Sequence, residues 1–412
     1  MTDSLRINGK RLWDAIMEVA RVGATERGGC NRQALTDGDG TVRRIFRDWC
    51  EQAGLTVRVD EMGNMFARRP GTNSDLPPVV AGSHLDTQPT GGKYDGILGV
   101  LGALEVIRTL NDAGVETLAP LEILNWTNEE GARFSPAMIG SGVWSGQFDL
   151  EYGHNRADKE GITIGQELNR LGYAGSEPCR PFPIRAAFEM HIEQGPVLEN
   201  EGLTIGVVTG VQGMRWYDVK LFGQPVHAGT TPMEVRRDPF MAFHRILARL
   251  YELGSQHAPE ARVTFGDISV VPGSRNTVPE ELKLAVDLRH PEQSSLEAMD
   301  AGMRTIVQEE AERANLGYQV DDEWHSSAVA FDAHCISAVR GAVEMLGYPH
   351  REMVSGAGHD AVYVSHVAPT SMIFIPCADG ISHNEAEDAS PADIEAGCNV
   401  LLHAMLERAN AD

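Results

Sequence analysis

The chain has 412 residues, 42% of them hydrophobic and 23% charged, the composition of a folded globular protein with length for roughly two to four domains. Its 59 acidic against 35 basic side chains leave a net charge of -24, which argues against nucleic-acid backbones and anionic membranes as partners. No run approaches the roughly 18 to 20 apolar residues of a membrane span, and the polar start MTDSLRINGK lacks the apolar stretch of a signal peptide, so a cytoplasmic location is expected.

Apolar spacing predicts helices near Leu12 to Ala20 and Val42 to Ala53, and a strand pair from Leu55 to Ala67 turning at Gly63-Asn64. After the breaker cluster PGTNSDLPP, Val79 to Ser83 reads as a short buried strand, followed by a glycine-rich loop and a helix from Ile97 to Leu110. Further strands are expected at Leu121 to Trp126, stopping at Glu129-Glu130, at Ala186 to Met190, stopping at His191, and at Ser371 to Ile375, leading to His383. Strands alternating with helices indicate an α/β sheet with crossover connections. Between Gly213 and His325 the rhythm changes: strand Arg215 to Phe222, helix Asp238 to Leu253, strands Arg262 to Val271 and Leu282 to Arg289, helix Leu296 to Ala314, strand Tyr318 to Trp324. That β-α-β-β-α-β order is the split βαβ pattern of a small domain, and strand-like core material resumes after it. The expected organisation is therefore a larger domain in two pieces, 1–212 and 326–412, with an inserted domain at 213–325.

Four strand ends carry His84 and Asp86, Glu129 and Glu130, His191, and His383, with Asp95 in the glycine-rich loop. Ligands of open α/β sheets collect beyond the carboxyl ends of strands, so these residues are expected to converge. Imidazoles with carboxylates and no thiolates suit zinc, manganese, cobalt or nickel, and a carboxylate such as Asp95 can bridge two ions. Taken singly, a lone His is more often a hydrogen-bonded structural residue, Glu129-Glu130 can be a solvated helix start, and Asp95-Gly96 can be only a turn. Taken together, ligand-type residues that all follow apolar strands are poorly explained as a solvated face. His244, His257, His334, His350, His366 and His403 lack that context and are read as structural. The six cysteines (Cys30, Cys50, Cys179, Cys335, Cys377 and Cys398) form no CxxC pair and are read as reduced thiols.

Six segments carry a resemblance: His84-Leu85-Asp86-Thr87, Gly91-Gly92-Lys93-Tyr94-Asp95-Gly96, Asn128-Glu129-Glu130-Gly131-Ala132-Arg133-Phe134, Glu189-Met190-His191-Ile192-Glu193-Gln194-Gly195, His227-Ala228-Gly229-Thr230-Thr231-Pro232-Met233 and Gly356-Ala357-Gly358-His359-Asp360. Together the chain resembles the hydantoinase/carbamoylase amidases, dinuclear metallohydrolases of the M20-type peptidase group. The resemblance implies a mixed-sheet α/β metal domain with an inserted ferredoxin-like domain serving as lid and dimerisation surface. It implies two divalent ions per subunit, with zinc the first expectation and manganese, cobalt or nickel the alternatives. His84, Asp95 and His191 would hold one ion, and Asp95, Glu130 and His383 the other. Glu129 would be the general base and Asp86 the carboxylate that orients His84, as a ligating His usually gives its other N–H to such a group. By the same resemblance His227, Asn276 and Arg289 grip the substrate, His227 polarising the scissile carbonyl and Arg289 pairing with a carboxylate, with Gln194 and Gly358 as further contacts. A homodimer through the inserted domain is implied, with His227 and Asn276 reaching the site of the other subunit.

The expected activity is hydrolysis of N-carbamoyl amino acids, small ureido-acids, to amino acid, ammonia and carbon dioxide. The segment HLDTQPTGGKYDGILGV with Gly195 to Glu199 looks most like the β-ureidopropionase (β-alanine synthase) branch, followed by N-carbamoyl-L-α-amino acids, allantoate, and an aminoacylase or dipeptidase. The rival of another class is a metal-binding protein without catalysis. Loss of catalysis would show most simply as a substitution at the base or a ligand, whereas Glu129 and all five ligand candidates are present.

Overall fold

The computed structural model describes residues 2–411, which divide into two compact units, residues 2–209 with 330–411 and residues 210–329. The sequence places the inserted part at 213–325; the division by contacts falls a few residues outside it, within short strands at either crossing.

In chain order the strands are β1 (Thr56–Val59), β2 (Met65–Arg69), β3 (Val79–His84), β4 (Leu121–Trp126), β5 (Ala186–Ile192), β6 (Ile205–Val211), β7 (Gly213–Phe222), β8 (Arg262–Val271), β9 (Glu281–His290), β10 (Gly317–Ser326), β11 (Val329–Ala330), β12 (His350–Ser355) and β13 (Thr370–Ile375). The first unit is built on a mixed sheet in the order β1-β2-β4-β3-β5-β13-β6-β11, with β12 beside β6. Its centre, β4, β3, β5 and β13, is parallel. Those four strands are buried along their whole length, which is why they read as continuous apolar runs and not as alternating ones. Helix Ile97–Asp112 is almost wholly buried, packing on β3 and against helix Pro391–Asn410. Parallel strands point their carboxyl ends to one edge, which brings the residues after β3, β4, β5 and β13 together. β5 runs two residues past its expected stop, because Phe374 and Ile375 of β13 pair with His191 and Ile192.

The second unit has a four-stranded antiparallel sheet in the order β10-β7-β9-β8, and its elements follow as strand, helix, strand, strand, helix, strand. Helices Pro239–Gln256 and Gln293–Arg313 form a core with the sheet through Ile246, Leu250, Met299, Met303, Leu284, Val286 and Leu288. Along β9 burial alternates strictly, so Glu281, Lys283, Ala285, Asp287 and Arg289 share the face turned away from that core.

Candidate metal centre and active site

In the first unit His84, Asp95 and His191 form one group of potential ligands, and Asp95, Glu130 and His383 a second, the ligand atoms in each lying within 4.8 Å of one another. Asp95 belongs to both. Its Oδ1 is 3.4 Å from His84 Nε2 and 3.1 Å from His191 Nε2, while its Oδ2 is 3.6 Å from His383 Nε2. His383 Nε2 is in turn 3.3 Å from Glu130 Oε2. Glu129 Oε2 lies 3.5 Å from His84 Nε2 and belongs to neither group.

The imidazoles are aimed by the backbone. His84 Nδ1 is 2.9 Å from the carbonyl of Asp86, and His191 Nδ1 is 2.9 Å from that of Ile192. Each carbonyl fixes its ring with the N–H on Nδ1 and the lone pair on Nε2, the atom facing Asp95. The Asp86 carboxylate, expected to orient His84, stands 3.8 Å from Nδ1 and instead accepts the backbone N–H groups of Glu129 and Glu130, each at 3.3 Å. A His-x-Asp turn brings the i+2 carbonyl within reach of Nδ1, so Asp86 serves the ring with its main chain and the Glu129-Glu130 turn with its side chain.

Backbone geometry concentrates here. Asn128, Gln194 and His383 are non-glycine residues with φ of 58°, 57° and 55°, each at or next to a candidate site residue. Such left-handed positions are held only where surrounding contacts over-determine them. Gly96, at φ 69°, meets a further demand: a Cβ there would come within 2.3 Å of the His84 ring.

Residues that the sequence reading did not single out complete the arrangement. Gln88 donates its backbone N–H and its amide to the Glu130 carboxylate, at 3.1 and 2.8 Å. Ser382 Oγ donates to Asp95 Oδ2 at 2.8 Å, and Gln194, expected to touch substrate, gives its amide to the same oxygen at 2.7 Å. Glu387 accepts the N–H groups of Tyr94 and Asp95 at 3.0 and 3.1 Å. The one available signal was Glu387's position, a carboxylate four residues after His383 in one loop. Gly358 lies between β12 and helix Asp360–Ser365, beside His359, which is buried with its ring edge-on to His191 and its Nε2 3.0 Å from Ser355 Oγ. Asp360 hydrogen-bonds Ser141, and Glu189 accepts from Ser83 Oγ and the Ala361 N–H.

The electrostatics are those of a site with too much negative charge for its own cations. Burial, together with the charge of Asp95, pushes Glu130 up to about 8 and Glu387 up to about 7. Burial likewise holds Glu129 well above the ordinary carboxylate range, reinforced by Asp360, Glu130 and Asp95 and opposed by His84. Among the described residues the ion partners of Asp95, Glu129 and Glu130 are imidazoles, not Lys or Arg. All-nitrogen-and-oxygen donor sets, Nε2 lone pairs directed inward and surplus buried carboxylate fit two divalent cations sharing Asp95.

The remaining three expected site residues lie in the second unit, and the unit does not bring them together. His227 and Asn276 are neighbours: His227 bridges to Thr277, and the Ala228 N–H donates to the Asn276 carbonyl at 2.8 Å. Both lie beyond the β7 end at Phe222, which pairs with Glu281 at the start of β9. Arg289 is at the other end of β9, eight residues on, which is about 27 Å at roughly 3.4 Å per residue.

The sequence profile of Peptidase family M20/M25/M40 matches residues 80–407. A protein of Rhizobium meliloti named N-carbamoyl-L-amino-acid amidohydrolase is 49% identical over 99% of this chain and 98% of its own length. One of the same name from Geobacillus stearothermophilus is 35% identical over 98% of this chain and its full length. A crystal structure of an amidase of the hydantoinase/carbamoylase family from Burkholderia multivorans superposes with a TM-score of 0.96 at 55% identity, covering 99% of each chain.

Proposed function

Because the chain belongs to Peptidase family M20/M25/M40, we propose that it is a two-metal amidohydrolase that cleaves the carbamoyl C–N bond of N-carbamoyl amino acids, releasing the amino acid, ammonia and carbon dioxide. The observation that carries the reading is the pair of ligand groups sharing Asp95 with Glu129 beside them and in neither. Full-length relatives named for N-carbamoyl-L-amino acids favour L-α substrates, and we rank these above N-carbamoyl-β-alanine, which the sequence alone puts first. Allantoate is the next alternative.

His84, Asp95 and His191 would hold one ion and Asp95, Glu130 and His383 the other; divalent ions held there would supply Lewis acidity, lowering the pKa of a nearby water and polarising the ureido carbonyl. Glu129 takes the proton of the attacking water at its carboxylate and delivers it to the leaving nitrogen. Its carboxylate lies 3.5 Å from His84 Nε2 and in neither ligand group, a position beside the ions from which it can serve both steps. Asp86 keeps the Glu129-Glu130 turn in place, while Gln194, Ser382 and Glu387 set the angle of Asp95. Zinc is the ion we favour, with manganese, cobalt or nickel as alternatives.

We assign substrate binding to His227, Asn276 and Arg289, with Arg289 taking the carboxylate and His227 the carbonyl. A ureido-acid is far shorter than the separation of about 27 Å between the two ends of β9, so one chain cannot place all three on one molecule. This supports a homodimer through the inserted lid unit, in which His227 and Asn276 serve the partner's site. No helix among the described residues is long and apolar enough to cross a membrane, and we take the protein to be cytoplasmic.

The test is ammonia release from N-carbamoyl-L-methionine, N-carbamoyl-β-alanine and allantoate, and free amino acid release from an N-acetyl amino acid, by protein reloaded with Zn²⁺, Mn²⁺, Co²⁺ or Ni²⁺. Turnover led by N-carbamoyl-L-methionine supports the reading. Turnover of allantoate alone or of the N-acetyl amino acid alone would replace it, and no product from any of the four would leave a metal-binding protein without this chemistry.

A further inference from the structure

The sheet face turned away from the second unit's core changes character along its length. Towards Phe222 it is ion-paired: Lys220 meets Asp321 at 2.8 Å, and Lys283 pairs with Asp218. Towards Gly213 it carries indoles. Trp216 is 45% exposed and stands with Trp324, their ring centroids 4.9 Å apart and the rings tilted by 46°. Tyr217, Val219 and Leu221 point to the helices, so Trp216 points away from them, and Trp324, its partner in the β10–β7 register, shares that face.

Strand register places the pair beside Arg289. In the β7–β9 ladder Trp216 is opposite Asp287 and Met214 opposite Arg289, all four on the same face. Trp216 and Arg289 are thus diagonal neighbours, about 7 to 8 Å apart, a spacing that long and aromatic side chains bridge. Arg289 also bonds Asp287, and Met214 is buried, so the patch is a cation edged by a thioether and two indoles. Apolar rings grouped at a surface whose other half is ion-paired have the character of a binding surface.

We propose that Trp216 and Trp324 form the wall that receives the substrate's side chain, so that the preferred substrates are N-carbamoyl-L-α-amino acids with large apolar or aromatic side chains. The proposal rests on Arg289 taking the substrate carboxylate. In an α-amino acid the carboxylate and the side chain leave the same carbon, so the grip on the first sets where the second falls, one diagonal step along the sheet. Indoles suit the task, offering a large rigid contact area at little cost in lost rotamers. N-carbamoylglycine and N-carbamoyl-β-alanine carry no branch at that carbon and gain nothing from the wall.

The experiment is steady-state kinetics of the Mn²⁺-loaded full-length protein with N-carbamoyl-L-phenylalanine and N-carbamoylglycine, for wild type, Trp216→Ala, Trp216→Phe, Trp324→Ala and Arg289→Lys, with light scattering on each. Wild type should prefer the phenylalanine substrate in kcat/KM by at least about tenfold, the scale on which apolar pockets sort side chains. Trp216→Ala and Trp324→Ala should each cut that preference by about fivefold or more, whereas Trp216→Phe, which keeps a flat ring, should hold it within about twofold. If Arg289→Lys raises KM for both substrates and neither alanine variant moves the preference, the wall is wrong and the carboxylate assignment stands. If Arg289→Lys moves KM for neither substrate, the carboxylate assignment falls and the proposal with it. A wild type that prefers N-carbamoylglycine would also overturn the proposal. So would a change of oligomeric state in either alanine variant, which would make the pair an interface between copies of the chain. Should Trp216→Ala melt below the assay temperature, Trp324→Ala, on a different strand, carries the same expectations.

Discussion

Gln194 donates its side-chain amide to Asp95 Oδ2 at 2.7 Å, so a residue expected to touch substrate also holds the carboxylate common to both ligand groups. Removal of such supporting partners typically weakens metal affinity by about tenfold to a hundredfold. Gln194→Ala is expected to weaken binding of at least one ion by that amount in a titration of metal-depleted protein. A raised KM with unchanged ion affinity would return Gln194 to substrate contact alone.

The distance along β9 gives a prediction about assembly. If Arg289 of one chain works with His227 of another, a hybrid of Glu129→Gln and Glu129-intact His227→Ala chains has one site with both lesions and one with neither. Differently tagged chains, co-expressed and purified as the hybrid, should recover about half the wild-type turnover while each parent homodimer stays inactive. Hybrids no more active than their parents would place the machinery within one chain.

Away from the site, Asp60 gives a pH signature. Burial pushes its carboxyl up to about 6, against the hydrogen bonds that Asn64 and Met62 donate to it. Between its unfolded value near 3.9 and about 6 the folded state holds a proton that the unfolded chain has released. Stability from this group is therefore greatest below about pH 4 and falls as pH rises to about 6, by at most about 3 kcal/mol. Urea midpoints of wild type and Asp60→Asn across pH 4 to 7 should differ in slope, the wild type losing more as pH rises. Parallel curves would contradict the shift.

The metal-ligand candidates were legible because each follows an apolar strand: His84, Glu130, His191 and His383 are marked by what precedes them, and parallel strands deliver them to one edge. The supports of Asp95 were not legible. Glu387 acts through the amides of Tyr94 and Asp95 from almost 300 residues away, and Ser382 through a hydroxyl that no spacing rule marks. Asp86 shows a finer limit, since the residue was identified but the sequence could not say whether its carbonyl or its carboxylate meets His84. The separation of His227 from Arg289 needed the strand register: the sequence gives eight residues of strand, but only pairing shows that the His227 loop lies past the far end.

The central claim, a base beside two ions and not a ligand to them, is tested most directly by measuring metal content and turnover on one preparation of Glu129→Gln. The variant should retain the two divalent ions per chain expected of wild type, while turnover of its best ureido-acid falls by at least the roughly 10² to 10⁴ expected for a lost acid-base group. Loss of an ion from Glu129→Gln, or turnover within tenfold of wild type with both ions in place, would contradict the account.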